Sequence, residues 1–186
     1  MVPLTALGLP IILSAMGVFL ASSIVHMVLK YHNSDYRKLP DEDRAAEAMR
    51  GAAPGYYRMP HCLDMKEMAS PEMMKKFKDG PVAFVTVSQN GPPNMGKLLG
   101  LWFAFCVVIS VFVAYLTGRS LGPDAEFMKV LQIASTTAFL GYGASEPISA
   151  IWKAQPWGMT LKSVFDGLIF ALVTGAVFAQ FWPSAA

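Results

Sequence analysis

Residues 162–182 read K-S-V-F-D-G-L-I-F-A-L-V-T-G-A-V-F-A-Q-F-W, from Lys162 to Trp182. The run is long and apolar enough for a helix to cross the hydrocarbon of a bilayer, which takes about 20 residues. Two features separate it from a plain anchor. It carries an acid, Asp166, and it spaces Gly167, Ala171, Gly175 and Ala179 four residues apart. In a helix those four share one face, where another helix can approach closely. The segment therefore predicts burial against partners.

The rest of the chain has the same character. It holds 186 residues, 54% hydrophobic and only 15% charged, with a mean hydropathy of +0.41. That is the composition of a chain solvated mainly by lipid. The net charge of +2 gives no footing for nucleic acid as a partner. Eleven of the fifteen Lys and Arg lie between Lys30 and Lys97, together with nine of the thirteen acids, so this part reads as a mixed-charge soluble excursion. Cys62 lies in the excursion and Cys106 in an apolar run, settings that predict no disulfide. The run Val2 to Leu29 has no positive leader and exceeds a signal-peptide core, and reads as a retained anchor.

These runs predict an all-α membrane protein with four transmembrane helices. Transmembrane helix 1 occupies residues 1–30, the polar excursion 31–96, and a three-helix region 97–186 with spans at about 98–117, 127–151 and 163–182. In the first span Gly17 and Ala21, with Ser14, lie at helical spacing and mark a packed face, and Pro10 is placed to kink it. His26 and Lys30 mark its polar end, with His26 expected to bond Ser22 one turn back. The third span carries Glu146-Pro147 near its end.

The excursion is expected to be mostly irregular, with two short helices and one extended strand. Asp41 caps a helix running to Arg50, where Gly51 stops it. Ser70-Pro71-Glu72 opens a second, which lysines and Gly80 close. Residues 81–87, P-V-A-F-V-T-V, are rich in β-branched side chains and read as a strand in need of a partner. Pro54 to Met68 is expected to be irregular.

Lys30, Arg37, Lys38, Lys75, Lys76, Lys78 and Lys97 lie on the excursion side of the first two spans, against no Lys or Arg before the first span. The positive-inside rule then places the excursion in the cytoplasm, and four spans put both termini on the periplasmic side. Trp102, Trp152, Trp157 and Trp182 fit interfacial positions in that arrangement.

The block from Tyr31 to Asp43 (Y-H-N-S-D-Y-R-K-L-P-D-E-D), Met59-Pro60-His61-Cys62, Ser70-Pro71-Glu72 and Gly80-Pro81-Val82 make a distinctive set. Met95-Gly96-Lys97, Phe112-Val113-Ala114-Tyr115-Leu116, Ser149-Ala150-Ile151-Trp152 and Phe165-Asp166-Gly167-Leu168 extend it across most of the chain. With these motifs the chain resembles a family of uncharacterised small bacterial inner-membrane proteins. The resemblance implies a multi-pass protein of the bacterial inner membrane and carries over no activity, cofactor, partner or functional residue.

Three groups of residues have chemistry to offer. Glu146 and Asp166 are carboxylates within apolar segments, where they are costly and face a cavity or a partner charge. Lys162 lies one turn before Asp166 and Lys153 near Glu146, so the pairs read as interfacial ion pairs that lock a helical hairpin; a proton or ion relay is the alternative. Met59, His61, Cys62 and Met65 combine thioether, imidazole and thiolate, a set suited to copper(I), against a reading of the methionines as the apolar side of surface helices. Gly141-Tyr142-Gly143 has the letters of a potassium-filter core but sits inside a full apolar run, and reads as packing glycine. No phosphate loop, HExxH or nucleophile elbow is present.

Abundant packing signal beside sparse chemistry points to a protein without enzymatic activity. The expectation is an accessory or scaffold subunit that binds the lipid bilayer and other membrane subunits, or copies of itself. The alternatives are a small proton- or ion-coupled carrier using Glu146 and Asp166, and a copper-binding protein; no other cofactor is expected.

Overall fold

The computed structural model describes residues 1–185. Its helices are α1 (Gly8–Ser23), α2 (Glu42–Ala48), α3 (Met65–Met68), α4 (Pro71–Asp79), α5 (Met95–Ser120), α6 (Phe127–Tyr142), α7 (Pro147–Lys153) and α8 (Trp157–Gln180). The strands are β1 (Gly55–Met59) and β2 (Ala83–Val87). A 3-10 turn over Leu4–Leu7 leads into α1 and a π-helical turn over Ile24–Val28 leads out of it.

Among the described residues, three helical segments are long and apolar enough to cross a membrane: Leu4–Val28, Met95–Ser120 and Trp157–Gln180. The segment expected to span residues 127–151 is different. Its helix α6 stops at Tyr142 after 16 residues, a length of about 24 Å against a hydrocarbon thickness of about 30 Å. Gly143 leaves the helical conformation, and Pro147, which has no N–H to donate, opens the separate α7. The last span starts at Trp157 rather than Ser163, which sets Asp166 nine residues inside its helix.

The chain divides into two units, the first comprising Met1–Tyr36, Asn94–Ile151 and the described chain from Gln155 onward. In it α1, α5, α6 and α8 form a ring in which each helix packs on two neighbours: α1 on α5 and α8, and α6 on α5 and α8. The contacts fix the register. Val2 donates its backbone N–H to the Gly118 carbonyl at 2.8 Å, Ser14 Oγ bonds Ser110 Oγ at 2.9 Å, and Trp102 Nε1 donates to Ser22 Oγ at 2.9 Å. The numbers rise along α1 as they fall along α5, so the pair is antiparallel. On the other side, the backbone of Leu131 and the hydroxyl of Ser135 face Gly175, while Gly143 faces Gly167. Thus α6 and α8 are antiparallel too. Trp182 Nε1 donates to the Gly122 carbonyl at 2.9 Å, which ties the far end of α8 to the loop between α5 and α6.

The interior of this bundle is built from small and hydroxyl side chains, among them Ala15, Ala134, Ala138, Ala171, Ser14, Ser110 and Thr174, all fully buried. Beside a few large buried residues such as Phe178 and Leu7, many large apolar residues point outward: Leu9, Leu20, Phe112 and Leu161 are each at least 60% exposed. A surface of that kind is unfavourable in water and is solvated by acyl chains.

The second unit holds Arg37–Pro93 with Trp152–Ala154. The Asp41 carboxylate accepts the Arg44 N–H at 3.0 Å to cap α2, and Ser70 Oγ accepts the Met73 N–H at 3.2 Å to cap α4. Gly51 and Gly80, at φ +93° and +65°, lie just past those helices. Two elements fall where irregular chain was expected. β1 pairs with β2 in an antiparallel ladder running from Gly55 opposite Val87 to Met59 opposite Ala83, and α3 forms one turn under the cap of Asp64. The ladder supplies the missing partner of β2. G-Y-Y-R-M is exposed throughout, so no buried face imprints an alternating pattern on it.

Candidate functional site

The polar chemistry of the membrane unit gathers where the chain leaves α1. After the π-helical turn, Lys30 adopts a left-handed conformation (φ +53°) that reverses the chain into a 3-10 turn over Tyr31–Ser34. This turn lays Tyr31, His32 and Asp35 against Lys162 and Asp166, which lie one turn apart on the same face of α8.

Asp166 is buried, and its partners are a phenol hydroxyl and an imidazole rather than a lysine. Tyr31 donates its hydroxyl to Asp166 Oδ1, and His32 Nε2 lies 2.7 Å from Asp166 Oδ2. The other ring nitrogen, His32 Nδ1, lies 2.6 Å from Asp35 Oδ2. Lys162 spends its three protons on Asp35 Oδ1 at 2.6 Å, the Tyr31 carbonyl at 2.7 Å and Ser34 Oγ at 2.8 Å. The expected Lys162–Asp166 pair is therefore replaced by two crossed pairs, Lys162 with Asp35 and His32 with Asp166. The reason is reach: a side chain one turn away on the same helix competes with a whole turn of backbone pressed onto α8. The Lys162 hydrogen bond above all, and that of His32, hold the Asp35 carboxyl below the usual carboxylate range, against burial, which pushes it up.

A carboxylate only accepts hydrogen bonds. A carboxyl group faces each ring nitrogen of His32, Asp35 at Nδ1 and Asp166 at Nε2. His26, expected to bond Ser22, lies instead with its ring centroid 4.8 Å from that of His32, while Ser22 accepts from Trp102. One ligand atom each from His26, His32 and Asp166 lie within 4.8 Å of one another, the one grouping of three His, Cys, Asp or Glu of this kind among the described residues. One turn past Asp166, Phe170 meets Trp102 and Tyr142 at centroid distances of 5.9 and 5.8 Å.

The other residues singled out in the sequence lie elsewhere. The side chain of Glu146 makes no hydrogen bond or ion pair among the described residues, and the Lys153 ammonium sits 5.6 Å above the ring of Tyr56. Met59 and Met65 are exposed at 46% and 76%, His61 is exposed, and Cys62 is a free, partly buried thiol. His61 and Met59 line an open cleft of about 320 Å³ with Lys76 and Asp79, and no third His, Cys, Asp or Glu joins His61 and Cys62 among the described residues. The nitrogen and oxygen donors brought together in the membrane unit do not make the sulfur-rich copper set expected in the excursion. Gly167, Ala171, Gly175 and Ala179 are all buried on α8, Gly17 faces Val173, and Ala21 borders the core.

Sequence reading passed over Tyr31, His32 and Asp35 as site residues. Their signal was a His-x-x-Asp spacing immediately after a span, on the same predicted face as Asp166. No protein family, curated protein or solved structure matches the chain.

Proposed function

We propose that the chain is a multi-pass protein of the bacterial inner membrane, crossing four times, with residues 31–96 in the cytoplasm and both termini in the periplasm, and that it acts as a non-catalytic accessory or scaffold subunit. Support for four crossings comes from the antiparallel ring of α1, α5, α6 and α8, in which Val2 and Trp182 both bond to the α5–α6 region. The positive flanks of the first two spans support the orientation.

The observation that carries the scaffold reading is the two-stranded sheet. Among the described residues each strand has one neighbour only, and β1 is exposed along its whole length. A lone two-stranded ribbon is marginal, and its free N–H and C=O groups are a template for a strand from another chain. The small-residue face of α8 does not serve that purpose, because α6 already fills it. The relay alternative has less support, because Glu146 stands outside the Asp166 cluster. Native mass spectrometry of protein released at native expression in mild detergent is expected to show a defined complex with another membrane subunit or with copies of itself. A stable lone monomer would remove the proposal.

A further inference from the structure

The contact between His32 and Asp166 is the starting point. Asp35 accepts from His32 Nδ1 at 2.6 Å, which leaves Nε2 as the nitrogen facing Asp166 Oδ2 at 2.7 Å. Either a shared proton or a metal ion can lie between that nitrogen and that oxygen. A proton would suffice for the pair alone, but it gives no role to His26, whose ring nitrogen completes a group of three donors within 4.8 Å. We propose that His26, His32 and Asp166 bind one divalent transition-metal ion of the zinc, iron(II) or manganese(II) class.

The donor set is two imidazoles and one carboxylate, which suits those ions and lacks the thiolate or thioether that favours copper(I). The surroundings have the form that metal sites use to orient their ligands. The Asp35–His32 contact is the carboxylate–imidazole pair that fixes the metal-binding tautomer, Lys162 holds Asp35 in place, and Tyr31 bonds the second oxygen of Asp166. Two ligands on one ion, each about 2.0–2.2 Å from it, lie at most about 4.4 Å apart. In the tetrahedral geometry of zinc such ligands stand about 3.4 Å apart, so the widest pair here, within 4.8 Å, closes by up to about 1.4 Å and the His32–Asp166 contact opens from 2.7 Å by about 0.7 Å. His26 is exposed, so an ion can enter from solvent, and three protein ligands leave a coordination position open. The scaffold reading neither requires this site nor falls with it.

The test uses the full-length, untagged protein in detergent, stripped of metal, with Zn²⁺ as ligand and Co²⁺ as spectroscopic probe. One Zn²⁺ per chain is expected by equilibrium dialysis, and Co²⁺ is expected to give ligand-field bands of a site with nitrogen and oxygen donors. His26→Ala is expected to weaken binding at least tenfold, Asp35→Asn by about 10- to 100-fold, and His61→Ala to leave it unchanged. Absence of stoichiometric binding, retained affinity in His26→Ala, or loss of binding in His61→Ala overturns the proposal. X-ray absorption of the Zn²⁺-loaded wild-type protein provides a reading independent of any variant: sulfur in the first coordination shell also overturns it.

Discussion

Asp35 shows how a residue outside the apolar runs can anchor a membrane unit. Its side chain is 3% exposed, and it accepts from Lys162 Nζ and from His32 Nδ1, each at 2.6 Å. Burial alone would raise its pKa, but the Lys162 bond outweighs burial and lowers it. A carboxyl whose folded pKa lies below its unfolded value of about 3.9 adds stability that is fully present above that value and is lost as pH falls through the folded pKa. The expected outcome is a thermal midpoint in detergent that falls at pH below the ordinary carboxylate range. In Asp35→Asn the midpoint is expected to be lower at neutral pH and to lose this component of its acid dependence. An unchanged acid limb in Asp35→Asn would show that the Lys162–Asp35 pair contributes nothing to it.

At the scale of elements, the α6–α8 contact depends on what is missing from its glycines. A Cβ on Gly167 would meet the backbone of Gly143 and Tyr142, and one on Gly175 would collide with Ser135 Oγ and approach the Leu131 carbonyl to 3.0 Å. Backbone cannot swing aside as a side-chain tip can, so the helices would have to part. Gly167→Ala is expected to destabilise the protein by about 1–3 kcal/mol, the usual cost of overpacking. Gly100 and Gly158 have open space around them and lie in helices, so alanine there is expected to be neutral or stabilising by up to about 1 kcal/mol. Thermal or denaturant unfolding of the three variants side by side checks the contrast. Equal effects at all three positions would mean that helix propensity, not close approach, sets the outcome. The spacing of Gly167 and Gly175 was legible in the sequence because four-residue periodicity survives without any knowledge of the partner. That the partner is α6 was not legible, since several helices offered small residues.

For the whole molecule, the two cysteines report on topology without any substitution. Cys62 is a free, partly buried thiol of the polar excursion, whereas Cys106 is fully buried among the helices of the membrane unit. With residues 31–96 in the cytoplasm, a membrane-impermeant maleimide is expected to modify Cys62 in inverted vesicles and not in intact spheroplasts, with Cys106 protected in both until denaturation. Labelling of Cys62 from outside would reverse the orientation.

The apolar runs, the caps at Asp41 and Ser70 and the stops at Gly51 and Gly80 are local features, and the sequence by itself determined them. Hydrophobic length, a side-chain oxygen three residues before an N–H, and a residue without a Cβ act within a few positions of the chain. Tertiary structure decided the rest. It broke the third apolar run at Gly143, where the chain needs to pass close to Gly167. It also gave β2 its partner from an exposed strand with no pattern to betray it. At Lys162 and Asp166 the sequence determined that a buried acid needs a partner, because an unpaired charge away from water is costly. Which partner was settled 127 to 135 residues away, when the reversal at Lys30 carried Tyr31, His32 and Asp35 onto α8. The need for charge compensation is written in a residue, but the donor is chosen by packing, which brings together positions that no spacing rule connects.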